Sequence, residues 1–163
     1  MQRDIQLAKA TGCDGVVLGA LHPDGRVDEA RTRQLLEVAH PLSVTFHRAF
    51  DLTPDPLEAL QVLIRLGLDR VLTSGQATTA LEGLGCITKL VQAARGRISI
   101  MPGGGVEQGL EAILQGSGAK EVHLSARKRL PGSGRSVLEG HFGPHSVADR
   151  ERIAQIKAAL ARL

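Results

Sequence analysis

The residues best suited to chemistry lie where short apolar runs end. In PLSVTFHRAFD, Pro41 to Asp51, Val44 and Phe46 alternate with Thr45 and His47, so a strand here turns its apolar pair to one face and its polar pair to the other. His47, Arg48 and Asp51 then fall at the strand's end. An imidazole beside a guanidinium and a carboxylate can transfer protons or orient a ligand, and Arg48 and Asp51 can equally form a salt bridge that staples the loop. His123 stands in a second such run, EVHLSAR, between Glu121 and Ser125, and Met101 in a third, ISIMPGGG. If Ile98 and Ile100 pack outward, Met101 shares a face with the two imidazoles. His47, Met101 and His123 would suit a soft or borderline metal such as copper, although nothing in their spacing selects it. The same side chains serve as well to satisfy a buried polar network and to fill space.

A second constellation is built for anions. Pro102-Gly103-Gly104-Gly105 follows a strand and precedes a helix, so its amides can cradle an anion at a helix N-terminus, or can simply make a turn that needs positive φ. Ser125 and Arg127, after the next strand, add a hydroxyl and a fixed charge. Ser74 ends another strand, but neither serine carries the signature of a nucleophile with its base, and no catalytic residue is assigned. Cys13 precedes a strand and Cys86 falls in an outer helix, with no CxxC spacing, which argues against a disulfide framework or a closed zinc site. They read as packed or surface thiols. His22, His40, His141 and His145 fall in loops or at helix ends and read as solvated.

A repeat fixes the elements that hold these residues. GCDGVVLG from Gly12, GLDRVLTS from Gly67 and GAKEVHLS from Gly118 each open on a glycine that stops a helix and place a valine where a strand begins. With the strands Ser43 to Ala49 and Arg97 to Pro102, strand starts recur about every 25 to 28 residues, the length of one βα unit in a barrel. Five units are visible. Between them, Asp28 caps a helix to Ala39, Asp55 and Pro56 start one that Gly67 stops, Thr79 begins one ending before Gly96, and Glu107 to Gln115 forms another. After Asp149 a last helix lines up Ile153, Ile156, Leu160 and Leu163. Strand alternating with helix implies a parallel sheet with helices outside it. The glycine- and charge-rich stretch 128–145 reads as a flexible loop within a single domain spanning residues 1–163.

Composition narrows the function. The 163 residues are 42% hydrophobic yet hold three Phe and no Tyr or Trp, so the core is aliphatic and no aromatic platform exists for stacking nucleic-acid bases. The net charge of +3 is spread along the chain apart from Arg127, Lys128 and Arg129, which suits weak attraction of anions and not a nucleic-acid footprint. Met1 to Gly12 is amphipathic without an apolar signal core, no run reaches membrane length, and a cytoplasmic location is expected.

FHRAFD at Phe46 to Asp51, RVLTSGQ at Arg70 to Gln76, MPGGGV at Met101 to Val106 and EVHLSAR at Glu121 to Arg127 together resemble the CutC family of copper homeostasis proteins, in order and spacing. The resemblance covers nearly the whole chain outside Lys128 to His145. It implies an α/β fold of the TIM-type (β/α) barrel kind, here a partial barrel whose five strands correspond to the fourth through eighth of the family's eight. Met1 would fall within the helix before the fourth strand, as in a fragment, a shortened gene model, or a protein that closes its barrel by association. The strands at Gly15 to Ala20 and Glu121 to Ala126 would then be open edges inviting another chain, and a homo-oligomer is expected. In this fold sites gather at strand C-termini, here Gly19 and Ala20, His47 to Asp51, Ser74 and Gly75, Pro102 to Gly105, and Ser125 to Arg127. The function the resemblance implies is cytosolic copper binding or trafficking. The rival is an enzyme or sensor for a small anionic, phosphorylated metabolite, with His47 as general acid or base. A third reading is an inactive remnant whose edges mediate assembly.

Overall fold

A computed structural model of the chain describes residues 1–130 and 146–162, which form two compact units, Met1–His123 and Leu124–Leu163. The first unit carries strands β1 (Gly15–Leu18), β2 (Ser43–Phe46), β3 (Arg70–Thr73) and β4 (Ser99–Pro102). They lie side by side in chain order, all parallel. Helices α1 (Gln2–Ala10), α2 (Glu29–Ala39), α3 (Pro56–Leu66), α4 (Leu84–Ala94) and α5 (Leu110–Ser117) alternate with them.

Register shows how the two faces differ. Leu18 pairs with Phe46, Phe46 with Val71 and Val71 with Ile100, and all four are buried on the face the helices cover. Leu35, Leu60, Leu63, Ile87, Leu90 and Ile113 pack that face from the helices. The opposite row runs Val17, Thr45, Arg70, Ser99. Among the described residues nothing covers its outer end, and Val17 is 64% exposed. A parallel sheet normally buries both faces. Here only one is closed, so the sheet is open and no closed barrel forms among the described residues.

The helix starts follow the capping expected of them. Asp28 accepts from the Arg31 amide at 2.9 Å, Asp55 accepts from Leu57 and Glu58, and Gly67 closes α3 in the left-handed conformation. Two boundaries differ from the sequence reading. Thr79 and Glu82 do exchange capping bonds, at 3.1 and 3.3 Å, but they tie off a turn, and α4 begins only at Leu84. The segment after the glycine triplet opens as a 3-10 turn, Val106–Gln108, before α5 runs through Gly116 to end at Gly118, where φ is 73°.

The fifth strand expected at Glu121 to Ala126 is reduced to one bridge, between Gly103 and His123. Proline explains it. The His123 amide donates to the Pro102 carbonyl at 2.8 Å, but Pro102 has no N–H to return to the neighbouring segment, so the ladder is one-sided. Lower down the segment parts from β4 around a cavity of about 340 Å³ lined by Ile98, Ile100, Ala119 and Lys120.

The second unit holds an antiparallel ribbon, β5 (Arg127–Arg129) with β6 (Ser146–Ala148), and helix α6 (Arg150–Leu160) capped by Asp149. Of the expected 128–145 loop, residues 128 and 129 belong to β5, and 131–145 lie outside the described residues. Ile153, Ile156 and Leu160 keep their shared stripe on α6, but none is buried, and Leu163 lies outside the described residues.

Phe46, fully enclosed between sheet and helices, is the test of this packing. Phe46→Ala should cost about 3–5 kcal/mol, read as a lowered urea midpoint.

Candidate functional site

The polar end of the sheet is organised by Asp51. It sits in a 3-10 turn, Arg48–Leu52, that leaves β2 and folds back over the end of β3. Its carboxylate, 9% exposed, accepts from the Thr73 hydroxyl at 2.5 Å, from the Ser74 amide at 3.1 Å, from the Gln76 amide at 3.2 Å and from Arg48 Nε at 2.8 Å. Burial alone would push this carboxyl up. The donors from Thr73, Arg48, Ser74 and Gln76 outweigh it and hold the group below the ordinary carboxylate range. Asp51 is therefore an ionised staple with its acceptor sites filled. That removes it as a general acid and bears out the salt-bridge alternative for the pair it forms with Arg48.

Two residues the sequence reading left unassigned complete this staple. Thr73, the last residue of β3, gives its hydroxyl to Asp51 and accepts from the Gly75 amide at 2.8 Å. Gln76 adopts positive φ, 60°, and is held there by its amide to Asp51 and its side chain to the Thr53 carbonyl at 2.5 Å. Their signal was the polar run Thr73-Ser74-Gly75-Gln76 directly after an apolar strand.

Arg48 spans two loops. Besides Asp51 it donates through Nη2 to the Ser74 hydroxyl at 2.5 Å, while the hydroxyl donates onward to the Ala77 carbonyl at 2.6 Å. Its third nitrogen, Nη1, lies over the glycine triplet. A Cβ at Gly104 would stand 3.1 Å from it, and Gly104 itself holds φ at 99°. Both the close approach and the backbone angle require glycine there. Gly104 also accepts from the Ala80 amide at 2.8 Å, so this loop is pinned to the one after β3.

His47 caps the 3-10 turn. Its Nδ1 accepts from the Ala49 amide at 3.2 Å, which assigns the proton of the neutral ring to Nε2. The ring lies against Gly19 at the end of β1, where a Cβ would come within 2.6 Å of it. The imidazole thus leans toward β1, away from β4.

This decides how the proposed metal trio is arranged. His47 and Met101 lie on the same face but on strands separated by β3, about 10 Å apart at the backbone. Leu72, paired with Met101, stands between them and leans toward Gly103. His123 is exposed at its bridge to Gly103. Among the described residues no three His, Cys, Asp or Glu side chains are grouped to hold a metal ion. An Nε2 ligand also needs its proton on Nδ1, and the Ala49 amide pointing at Nδ1 opposes that tautomer.

The remaining candidates divide between the units. Ser74 and Gly103 to Gly105 join Arg48 in the first unit. Ser125 and Arg127 belong to the second, where Ser125 is exposed and Arg127 opens β5. Cys13 is exposed, with its sulfur 3.8 Å from the Thr11 hydroxyl, and Cys86 sits within α4 where burial pushes its thiol up. Beneath the site, Arg70 forms a two-pronged pair with Glu121 and donates to Thr45 at 3.3 Å. The hydrogen bond raises Arg70 and lowers Glu121, so both stay charged.

A parallel α/β sheet with its polar groups and a glycine-rich turn gathered at the strand C-termini belongs to the class of α/β scaffolds that place ligands at that end. The family is more specific. Residues 1–128 match the CutC family, and the chain belongs to it. It is 53% identical over 128 residues to the human "Copper homeostasis protein cutC homolog", a match covering 78% of this chain and 47% of that one. It is 46% identical over 164 residues to a CutC family protein of Chromobacterium violaceum, covering 97% of this chain and 66% of the other. The chain thus spans about half the length of the human relative. Among solved structures, the putative copper homeostasis protein CutC of Streptococcus agalactiae aligns at TM-score 0.71 and 35% identity over 75% of this chain and 60% of that one. A structure described as native KDPGal aligns at TM-score 0.57 and 17% identity over 99% of this chain and 63% of that one, a likeness of fold alone. No helix among the described residues is long and apolar enough to cross a membrane.

Asp51 should show in acid. Its folded value lies below its unfolded one, so its contribution is complete above the unfolded value and is lost as pH falls through the folded value. Asp51→Ala is expected to destabilise by on the order of 2–4 kcal/mol at neutral pH, and the difference from wild type should shrink in acid denaturation.

Proposed function

We propose that this chain serves copper homeostasis by binding or handing on copper, within a partial (β/α) barrel of the TIM type. Membership of the CutC family carries the proposal, because relatives half identical to it bear that role in their names. Copper would enter at the strand ends, where His47, Met101 and His123 share one face. Since the Ala49 amide holds His47 in the other tautomer, binding through Nε2 requires the ring to release that bond or to turn. Anaerobic Cu(I) titration against a competing chelator tests this. Stoichiometric binding that disappears in His47→Ala/His123→Ala is the expected result. A folded chain that leaves all copper with the chelator removes the reading.

A second reading, a sensor or enzyme for a small anionic metabolite, is favoured by one observation. Arg48 directs Nη1 over Gly104 while its other nitrogens are engaged, and His47, leaning toward β1, carries its proton on Nε2. These are donors, suited to a phosphate or carboxylate more than to a metal. Gly103 and Gly105 complete the turn. Inorganic phosphate, titrated calorimetrically, should bind wild type and lose roughly tenfold or more in affinity on Arg48→Ala, the equivalent of one charge-assisted hydrogen bond. Equal binding by both proteins would remove Arg48 from any such site.

A further inference from the structure

We propose that a cavity lined by α2, α3 and the loops that precede them binds a small aliphatic amine in its ammonium form.

The cavity holds about 290 Å³, the room of roughly ten waters. Its lining comes wholly from two consecutive βα units, between His22 and Val62. Val27, Ala59 and Val62, each less than a tenth exposed, make an apolar floor. The Thr53 hydroxyl beside them already donates to the Phe50 carbonyl at 2.8 Å, so the floor offers a ligand apolar surface and no polar partner.

The loops are fixed before any ligand arrives. Leu21 and Val27 bridge antiparallel, the His22 amide donates to the Arg26 carbonyl at 2.8 Å, and the Asp24 carboxylate accepts from the Arg26 amide at 3.0 Å and Nε at 2.8 Å. Gly25 seats this hairpin on the turn after β2. Its φ is 85°, and a Cβ there would stand 2.9 Å from the Leu52 carbonyl. From the other side, the Gln76 side chain donates to the Thr53 carbonyl at 2.5 Å. Walls tied at both ends leave a ligand little to order on entry.

Charge selects the ligand class. Arg26, Glu29 and Glu58 stand among the lining residues. Arg26 is matched by Asp24 at 2.8 Å, and Glu29 by Arg65 at 3.4 Å. Asp28 and Asp55, the caps of α2 and α3, are engaged by helix amides. Glu58 gives its amide to Asp55, but among the described residues its carboxylate has neither an ion pair nor a hydrogen bond. One uncompensated negative charge beside an apolar floor fits a single positive charge on an apolar body. An anion would be repelled by Glu58, and a neutral molecule would gain nothing from it. A branched ammonium of five carbons has the size and both of the properties required.

The probe is 3-methylbutylammonium, titrated into the full chain and followed through amide NMR shifts, with 3-methylbutanol and 3-methylbutanoate as its neutral and anionic counterparts. The ammonium should shift the amides of Val27, Ala30, Glu58 and Ala59 saturably and bind roughly fivefold more tightly than the alcohol, the upper range for an exposed ion pair. Added salt should weaken it, and the carboxylate should not compete. Glu58→Gln should bring the ammonium down to the affinity of the alcohol. Ala30→Leu, at an exposed position in the lining, keeps every charge and should abolish binding by filling the room. An alcohol that binds as well as the ammonium overturns the proposal and leaves an apolar crevice only. So do shifts confined to other amides, full affinity in either variant, or no saturable shift at all. Should a variant fail to fold, the comparison of the probes on the wild type still decides the matter.

Discussion

One carboxylate holds the functional end of this molecule together. Asp51 takes donors from the strand end at Thr73, from the loop amides of Ser74 and Gln76, and from Arg48 in its own turn. Without a charge at that point, buried amides and a hydroxyl would face one another with no acceptor. The turn after β2 and the loop after β3 are thus one rigid body. Because Arg48 also reaches Ser74 and lies over Gly104, the glycine turn after β4 is drawn into the same body. Separate strand ends become a single surface through one anion and one cation.

Much of this was legible in the residues. Period-two alternation located the strand from Ser43 and turned Phe46 inward, and aspartates before apolar helical runs located the starts of α2 and α3. The reading of Arg48 and Asp51 as a loop staple also held. What escaped was decided by atoms far apart in sequence. Thr79 and Glu82 have the spacing of a helix cap, and they do cap, but the chain turns once more before α4. Apolar alternation around Val122 suggested a full fifth strand. The limit on its pairing lies in the neighbouring strand, where a proline sits at an outward-facing position.

The site residues show the same division. Their face could be read from alternation, so His47, Met101 and His123 do share one. Proximity could not, because it depends on which way each side chain leans and on what stands between. Leu72 and the approach of His47 to Gly19 are facts of packing that no spacing rule contains.

Gly19 and His47 together carry a consequence for descent. The imidazole occupies the volume that any side chain at position 19 would need, so the two positions cannot drift independently. Glycine must persist at 19 for as long as 47 keeps its ring. A lineage that trades the histidine for a small residue is released to fill position 19, and one that fills 19 first must swing the ring off the Ala49 amide, uncapping the turn that carries Arg48 and Asp51. In an alignment of relatives, these two columns should change as a pair.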